Sequence, residues 1–306
     1  MRCRWFQNDI YILIMCRVIR ENNVKVLILG LLIFITFSEP LKAEQENQPK
    51  NYHQLVDLFY KWREFEKPPL TSGAPDYTTK MFSHREEEFN LLRKELEKMD
   101  TTNWSVHHRV DWNVVNAEMN GYDFNRRVLK PWVRDPAFYQ TIWMYESDVP
   151  AHEGPANHAL LEFWQYEFPL TEDRARDMAS EMEVIPNLLF QARGNLTGNA
   201  KDLWIAGIEN FKDQQKSLLK IKTHIKKEHG KQFNKILKKP IDRALKANND
   251  FIEWLISKKS IKNGPSGIGK ENYTWYQQNV HLIPLTWDEE VSLLKRELDR
   301  AWSSLK

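Results

Sequence analysis

From Tyr52 onward the apolar residues return every three or four positions, and that spacing commits most of the chain to helix. In YHQLVDLFYKWREF the repeat runs through Leu55, Val56, Phe59, Trp62 and Phe65. In FSHREEEFNLLRKELEKM it runs through Phe82, Phe89, Leu92, Leu96 and Met99, with charges on the other side. Later stripes are Trp204, Ile208, Phe211, Leu218 and Ile225, then Phe233, Leu237, Ala244, Phe251 and Leu255, and last Val291, Leu294, Leu298 and Trp302. Period-two alternation is hard to find, and only 11 of the 306 residues are glycine. The expected fold is mainly α, a multi-helix array.

Punctuation supports the boundaries. KPPLTSGAP interrupts the first pattern with three prolines and a glycine. Ser105 is placed to cap VHHRVDWNVVNAEMNGYDFNRRVL. Thr171 precedes Glu172 and Asp173, acids that complement a helix N-terminus, and that helix is expected to reach about Gly194, kinked at Pro186. Another starts at Asp202, and Pro240 lies inside the one after it. Thr286, followed three residues later by Glu289, is a capping box. From Lys130 to Glu153 the pattern is irregular and rich in aromatic and charged residues, the kind of backbone that carries sites.

The N-terminus reads as an address. Val24–Phe37 is apolar apart from Lys25, Arg17 and Arg20 precede it, and Ala43 offers a small residue for cleavage. The run is shorter than the roughly 20 apolar residues of a comfortable membrane span. Residues 1–43 are expected to be a signal peptide, with residues before Met15 reading as an over-long start; a signal anchor is the alternative. Residues 44–51 follow as a flexible lead, and 52–306 as the helical domain, expected to be incomplete at its C-terminus. The protein is expected to be exported, periplasmic or extracellular, with no stable membrane span after cleavage. Both cysteines, Cys3 and Cys16, precede the expected cut, so the exported chain is expected to have no disulfide.

Charge excludes one class of partner. The 44 basic and 42 acidic residues leave a net charge of +2, which argues against a nucleic-acid surface. KIKTHIKKEHGKQFNKILKK mixes its bases with acids and apolar residues, the pattern of a solvated helix, and His224 and His229 within it read as surface.

GPSGIGK, Gly264–Lys270, has the Gly-x-x-x-x-Gly-Lys spacing of a phosphate loop. That loop needs a hydroxyl residue after the lysine and a buried strand before the glycines. Here Glu271 follows, a carboxylate that repels phosphate, and a helical pattern precedes. No nucleotide is expected. The segment reads as a tight turn, with Gly264 ending one helix and Gly267 and Gly269 free to adopt left-handed backbone.

ESDVPAHEGPANHALLEFW gathers Glu146, Asp148, His152, Glu153 and His158. Imidazole and carboxylate are zinc ligands, and His152, Glu153 and His158 are the candidate set. The two histidines are six apart with Gly154 and Pro155 between them, so one regular helix does not place both on a metal. Hydrogen-bonding roles in an irregular loop are the alternative. His107 and His108 are adjacent and diverge by about 100° on a helix. The chain holds 12 tryptophans; core is their default place, and Trp132, Trp143, Trp164, Trp275 and Tyr276 are the cleft candidates among the aromatics.

Four segments together carry a resemblance. WSVHHRVDWNVVNAEMNGYDFNRRVLKPWVRDPAFY, YESDVPAHEGPANHA, NLTGNAKDLW and GPSGIGKENYTWYQQNVHLIPLTWDEE resemble the bacterial domain-of-unknown-function family 885, from about Trp104 onward. The resemblance implies an exported, mostly helical relative of the zincin metallopeptidases, and the N-terminal half of one. It also implies zinc for the complete family protein, held by a His-Glu motif downstream of the segment like PSGIGKENY. HEGPANH lies upstream of that segment, so no catalytic residue is carried over. The chain is expected to supply scaffold and cleft wall for a peptide substrate, with His152, Glu153, Lys270, Tyr273 and His281 lining the cleft. A non-catalytic exported helical binding module is the alternative, and a small metal site at His152, Glu153 and His158 is a third reading.

Overall fold

A computed structural model describes residues 51–145 and 161–305. Among them the chain is mainly helical, and the strand segments are two-residue pairs.

Three long helices form the centre: α6 (Glu172–Asn195), α7 (Lys201–Gln232) and α8 (Lys238–Lys258). In α6 the buried residues Ala175, Met178, Met182, Ile185, Leu189 and Ala192 recur at three- and four-residue steps, so one face of the helix is apolar along its length. Thr171 caps it by accepting from the Arg174 amide, and the helix continues through Pro186. Trp204, Ile208, Phe211, Leu218, Ile221 and Ile225 of α7 are equally buried. Helix α8 packs against both partners through Ile241, Ala244, Phe251 and Leu255.

One polar network crosses this core. Asn248 of α8 is fully buried and donates to the Phe211 carbonyl (3.0 Å) and to Gln215 Oε1 (2.8 Å). Its Oδ1 accepts from Gln214 Nε2 at 2.9 Å. Gln214 Oε1 accepts in turn from the backbone amides of Thr141 (2.8 Å) and Ile142 (3.2 Å). The network satisfies buried groups and fixes β3 (Ile142–Trp143), which pairs in parallel with β4 (Leu161–Glu162), to the bundle.

A second group of helices comprises α1 (Tyr52–Glu66), α3 (Glu86–Glu97) and α4 (Val106–Phe124). They enclose Trp62, Phe65, Phe89 and Tyr122, whose ring centroids lie 5.1–6.2 Å apart. Ser105 caps α4 as its sequence position predicts. Between α1 and α3 come the hairpin β1 (Leu70–Thr71) and β2 (Ala74–Pro75), then α2 (Thr79–His84). Gln191 and Asn195 of α6 hold the chain just after the hairpin, through Pro75 O, Tyr77 N and Tyr77 O.

After α4 a wide turn, Asn125–Leu129, leads to the short helix α5 (Pro131–Arg134) and the tight turn Pro136–Tyr139. Trp132, a cleft candidate by sequence, is core. It is 2% exposed and stacks on Phe82 at 3.7 Å, because Tyr139 OH donates to its carbonyl and locks the segment inward. His229 is also displaced from its expected surface place. It is buried, and its Nε2 accepts from the Leu170 amide at 3.0 Å. Its own backbone leaves helical geometry there, so α7 is broken at His229.

The chain ends in α9 (Lys270–Asn279) and α10 (Trp287–Leu305). The Thr286–Glu289 capping box forms, with Glu289 Oε2 accepting from the Thr286 amide at 2.8 Å. No residue of α10 is buried, and Leu294, Leu298 and Trp302 are each more than half exposed.

Candidate functional site

Helix α7 begins without a cap of its own: Ala200 holds that position and has no side-chain oxygen. The first amides of a helix need acceptors from elsewhere. Ser266 supplies one, its Oγ accepting from Asp202 N (2.7 Å) and Leu203 N (3.4 Å). The Gly264 carbonyl accepts from Lys201 N at 3.0 Å. So the glycine-rich turn does meet a helix N-terminus, and fills it with a serine hydroxyl of the same chain. Ser266→Ala is expected to cost about 1 kcal/mol, the usual worth of a helix cap, read as a lowered urea midpoint at unchanged slope.

Three of the four resemblance-bearing segments interlock around this turn. Asn199 Oδ1 accepts from the amides of Asn263 (2.7 Å) and Gly264 (2.8 Å). Arg134 donates to the carbonyls of Pro265 (3.2 Å) and Ser266 (3.0 Å). Gly198 N donates to Val133 O at 2.9 Å, and a Cβ on Gly198 would lie 2.8 Å from that oxygen. Lys262 Nζ donates to Gly198 O at 2.6 Å and sits 4.3 Å from the Trp204 ring centroid. Burial, and then Lys258, push the Lys262 ammonium below the usual lysine range. Of the two glycines expected to turn left-handed, Gly269 does so at φ +84°, at the start of α9, whereas Gly267 has no positive φ. Gly264 lies three residues beyond the short turn Lys259–Ile261 that ends α8, and its role is close approach to Asn199.

The interlock presents α9 with two different faces. One is an anchor: Trp275 stacks on Phe124 at 5.4 Å and Tyr276 lies 5.0 Å from the same ring. Asn120 Nδ2 donates to Asn279 O at 3.0 Å, and a Cβ on Gly121 would meet Val280 at 3.2 Å. Trp275 and Tyr276, read from sequence as cleft candidates, therefore hold α9 to α4. The other face is polar. Tyr273, Gln277 and His281 follow at four-residue steps, and Glu290 of α10 joins them. Tyr273 OH donates to Glu290 Oε2 (2.8 Å) and accepts from Gln277 Nε2 (3.0 Å). His281 Nδ1 lies 3.2 Å from Gln277 Oε1. The bond to Glu290, before any burial, raises the Tyr273 phenol above the usual tyrosine range, so it acts as a neutral donor.

Lys270 stands beside this strip. Its ammonium is 2.9 Å from Asp288 Oδ1 and 3.9 Å from the Trp287 ring centroid. The structure thus brings Lys270, Tyr273 and His281 onto one short segment, with Gln277 and Glu290 as links that sequence reading missed. The four-residue spacing of Tyr273, Gln277 and His281 is the signal that marks the first link. No comparable signal marks Glu290, which reaches Tyr273 only through the turn between α9 and α10. Trp143 and Trp164 are 41% and 40% exposed.

His152, Glu153 and His158 lie outside the described residues. Among the described residues no group of three His, Cys, Asp or Glu side chains is placed to hold a metal ion. Nor, among the described residues, is any helix long and apolar enough to cross a membrane. No family model, no curated protein and no solved structure matches the chain.

Proposed function

We propose that the chain is the N-terminal helical portion of an exported zincin-like hydrolase, a relative of domain-of-unknown-function family 885, contributing scaffold and one cleft wall. The observation that supports this reading is the interlock of three resemblance-bearing segments, which holds α9 so that exposed Lys270 and His281 and half-buried Tyr273 lie along one edge. Phenol, imidazole and ammonium along one edge, with the buried Gln277 amide linking the first two from behind, offer the donors and acceptors that a peptide backbone requires. Zinc chemistry belongs to the motif that this chain lacks, and the strip by itself holds and orients. The DNA continuing the reading frame beyond Lys306 tests the reading. An in-frame His-Glu zinc motif supports it, and a stop codon directly after Lys306 counts against it.

A second reading is favoured by α10. Leu294, Leu298, Trp302 and Leu305 form an apolar face that is 56–78% exposed. Such a face suits a self-contained exported helical binding module that does no chemistry. The third reading, a small metal site at His152, Glu153 and His158, is tested by metal analysis of the purified protein with and without His152→Ala. Zinc lost with that substitution supports it, and an intact chain without zinc rules it out.

A further inference from the structure

Glu66 is the last residue of α1 and is only 8% exposed. Its Oε2 accepts from Arg63 Nη1 at 2.7 Å. The same Arg63 nitrogen lies 3.6 Å from Glu118 Oε2 on α4. That Glu118 oxygen also accepts from Trp62 Nε1 at 3.1 Å. Two carboxylates from two helices thus share one guanidinium, against the buried rings of Trp62, Phe65 and Tyr122.

Two further cations bear on this setting, Arg85 and Arg126, and each faces carboxylates of its own, Glu88 for the first, Glu86 and Asp123 for the second. Tyr122 presents its phenol from α4, pushed up to about 12 by burial and therefore neutral. Arg85, between α2 and α3, lies 4.1 Å over the Phe65 ring and donates to the carbonyls of Phe65 and Lys67. Its carboxylate partner is Glu88, at 3.5 Å.

We propose that the Glu66–Arg63–Glu118 cluster is a proton-operated latch that fastens the end of α1 to α4, tight when Glu66 is protonated and loosened when it is ionised. With both carboxylates ionised the cluster carries one net negative charge in an aromatic setting. Glu66 also sits at the C-terminal end of α1, where the helix dipole disfavours a further negative charge. Protonating Glu66 leaves one guanidinium facing one carboxylate. Burial, opposed by Arg63 and reinforced by Glu118, pushes the Glu66 carboxyl up to about 7.

The sign follows from proton linkage. A carboxyl raised in the docked state binds a proton there that it releases when α1 undocks. Docking is therefore strongest below the ordinary carboxyl value of 4.5, weakens as pH rises, and levels off above about 7. The latch also adjoins the support of α9, since Asn120, two residues after Glu118, accepts from Arg93 Nη2 (2.6 Å) and donates to Asn279 O. It stands whether or not α9 meets a peptide.

Amide hydrogen exchange of the α1 peptide, corrected for the intrinsic rate and compared with α8, reads the latch between pH 4.5 and 8. The expected result is protection of α1 that falls by up to about tenfold per pH unit until about 7 and then levels. In Glu66→Gln that slope is lost while α8 is unchanged. Carboxyl NMR titration of the folded wild type gives an independent reading, with Glu66 expected to titrate near 7. A wild-type protection that does not change with pH, a slope that survives in Glu66→Gln, or a Glu66 midpoint in the ordinary carboxyl range would each overturn the proposal.

Discussion

Trp204→Ala is expected to lower the unfolding free energy by about 3–5 kcal/mol, the range for truncating a buried tryptophan. Trp204 is fully buried near the start of α7, with Trp254 of α8 5.7 Å away, ring to ring. Its indole N–H donates to Leu255 O at 2.9 Å, and the Lys262 ammonium sits over its ring. Truncation therefore leaves a cavity between α7 and α8, a buried carbonyl without its donor, and a partly buried cation without its aromatic face. Trp204→Phe keeps most of the volume and loses the N–H, so it is expected to cost less, about 1–3 kcal/mol. Urea unfolding of both variants measures the difference. A loss under about 1 kcal/mol for the alanine variant would show that α7 and α8 do not meet around this ring.

Gly264→Ala is expected to cost about 1–3 kcal/mol, as overpacking does where backbone cannot yield. A Cβ there would lie 2.5 Å from Asn199 O and 2.9 Å from Asn199 Cγ. The Asn199 side chain is already committed to Asn263 and Gly264, so relief of the clash breaks the bonds that join the loops. Gly267→Ala is the control, since a Cβ there meets nothing within 4 Å and the backbone has no positive φ. It is expected to be nearly neutral. Equal losses in the two variants, measured by thermal unfolding, would contradict the interlock.

The helices were legible because their signals are local. The α7 stripe, the Thr171 and Ser105 caps and the Thr286–Glu289 box each depend on residues within one or two turns, and all appear in the structure. What stayed hidden depends on partners far along the chain. Ser266 caps a helix more than 60 residues earlier, and His229 is buried by a bond to Leu170. Neither pairing leaves a periodic trace. Trp132 read as open because its segment is irregular, whereas stacking on Phe82 and the Tyr139 bond turn it inward.

A periodic apolar stripe also does not say what covers it. Val106, Val110 and Val114 repeat at four-residue steps on α4 and are 45–64% exposed. The same holds for the apolar face of α10, which by spacing is indistinguishable from the buried face of α6. Of the cleft candidates, Tyr273 and His281 are linked in the structure through Gln277, whereas Lys270 pairs with Asp288. The family reading and its peptide substrate remain the proposal of this account.

Photocrosslinking tests that proposal most directly: a library of extended peptides carrying a photoreactive residue is incubated with the protein, and the attachment sites are mapped by mass spectrometry. Attachment is expected along Lys270–His281, reduced severalfold by Tyr273→Phe, where the lost hydrogen bond is worth about 1 kcal/mol. Attachment confined to the apolar face of α10, or none above background, would contradict the proposal.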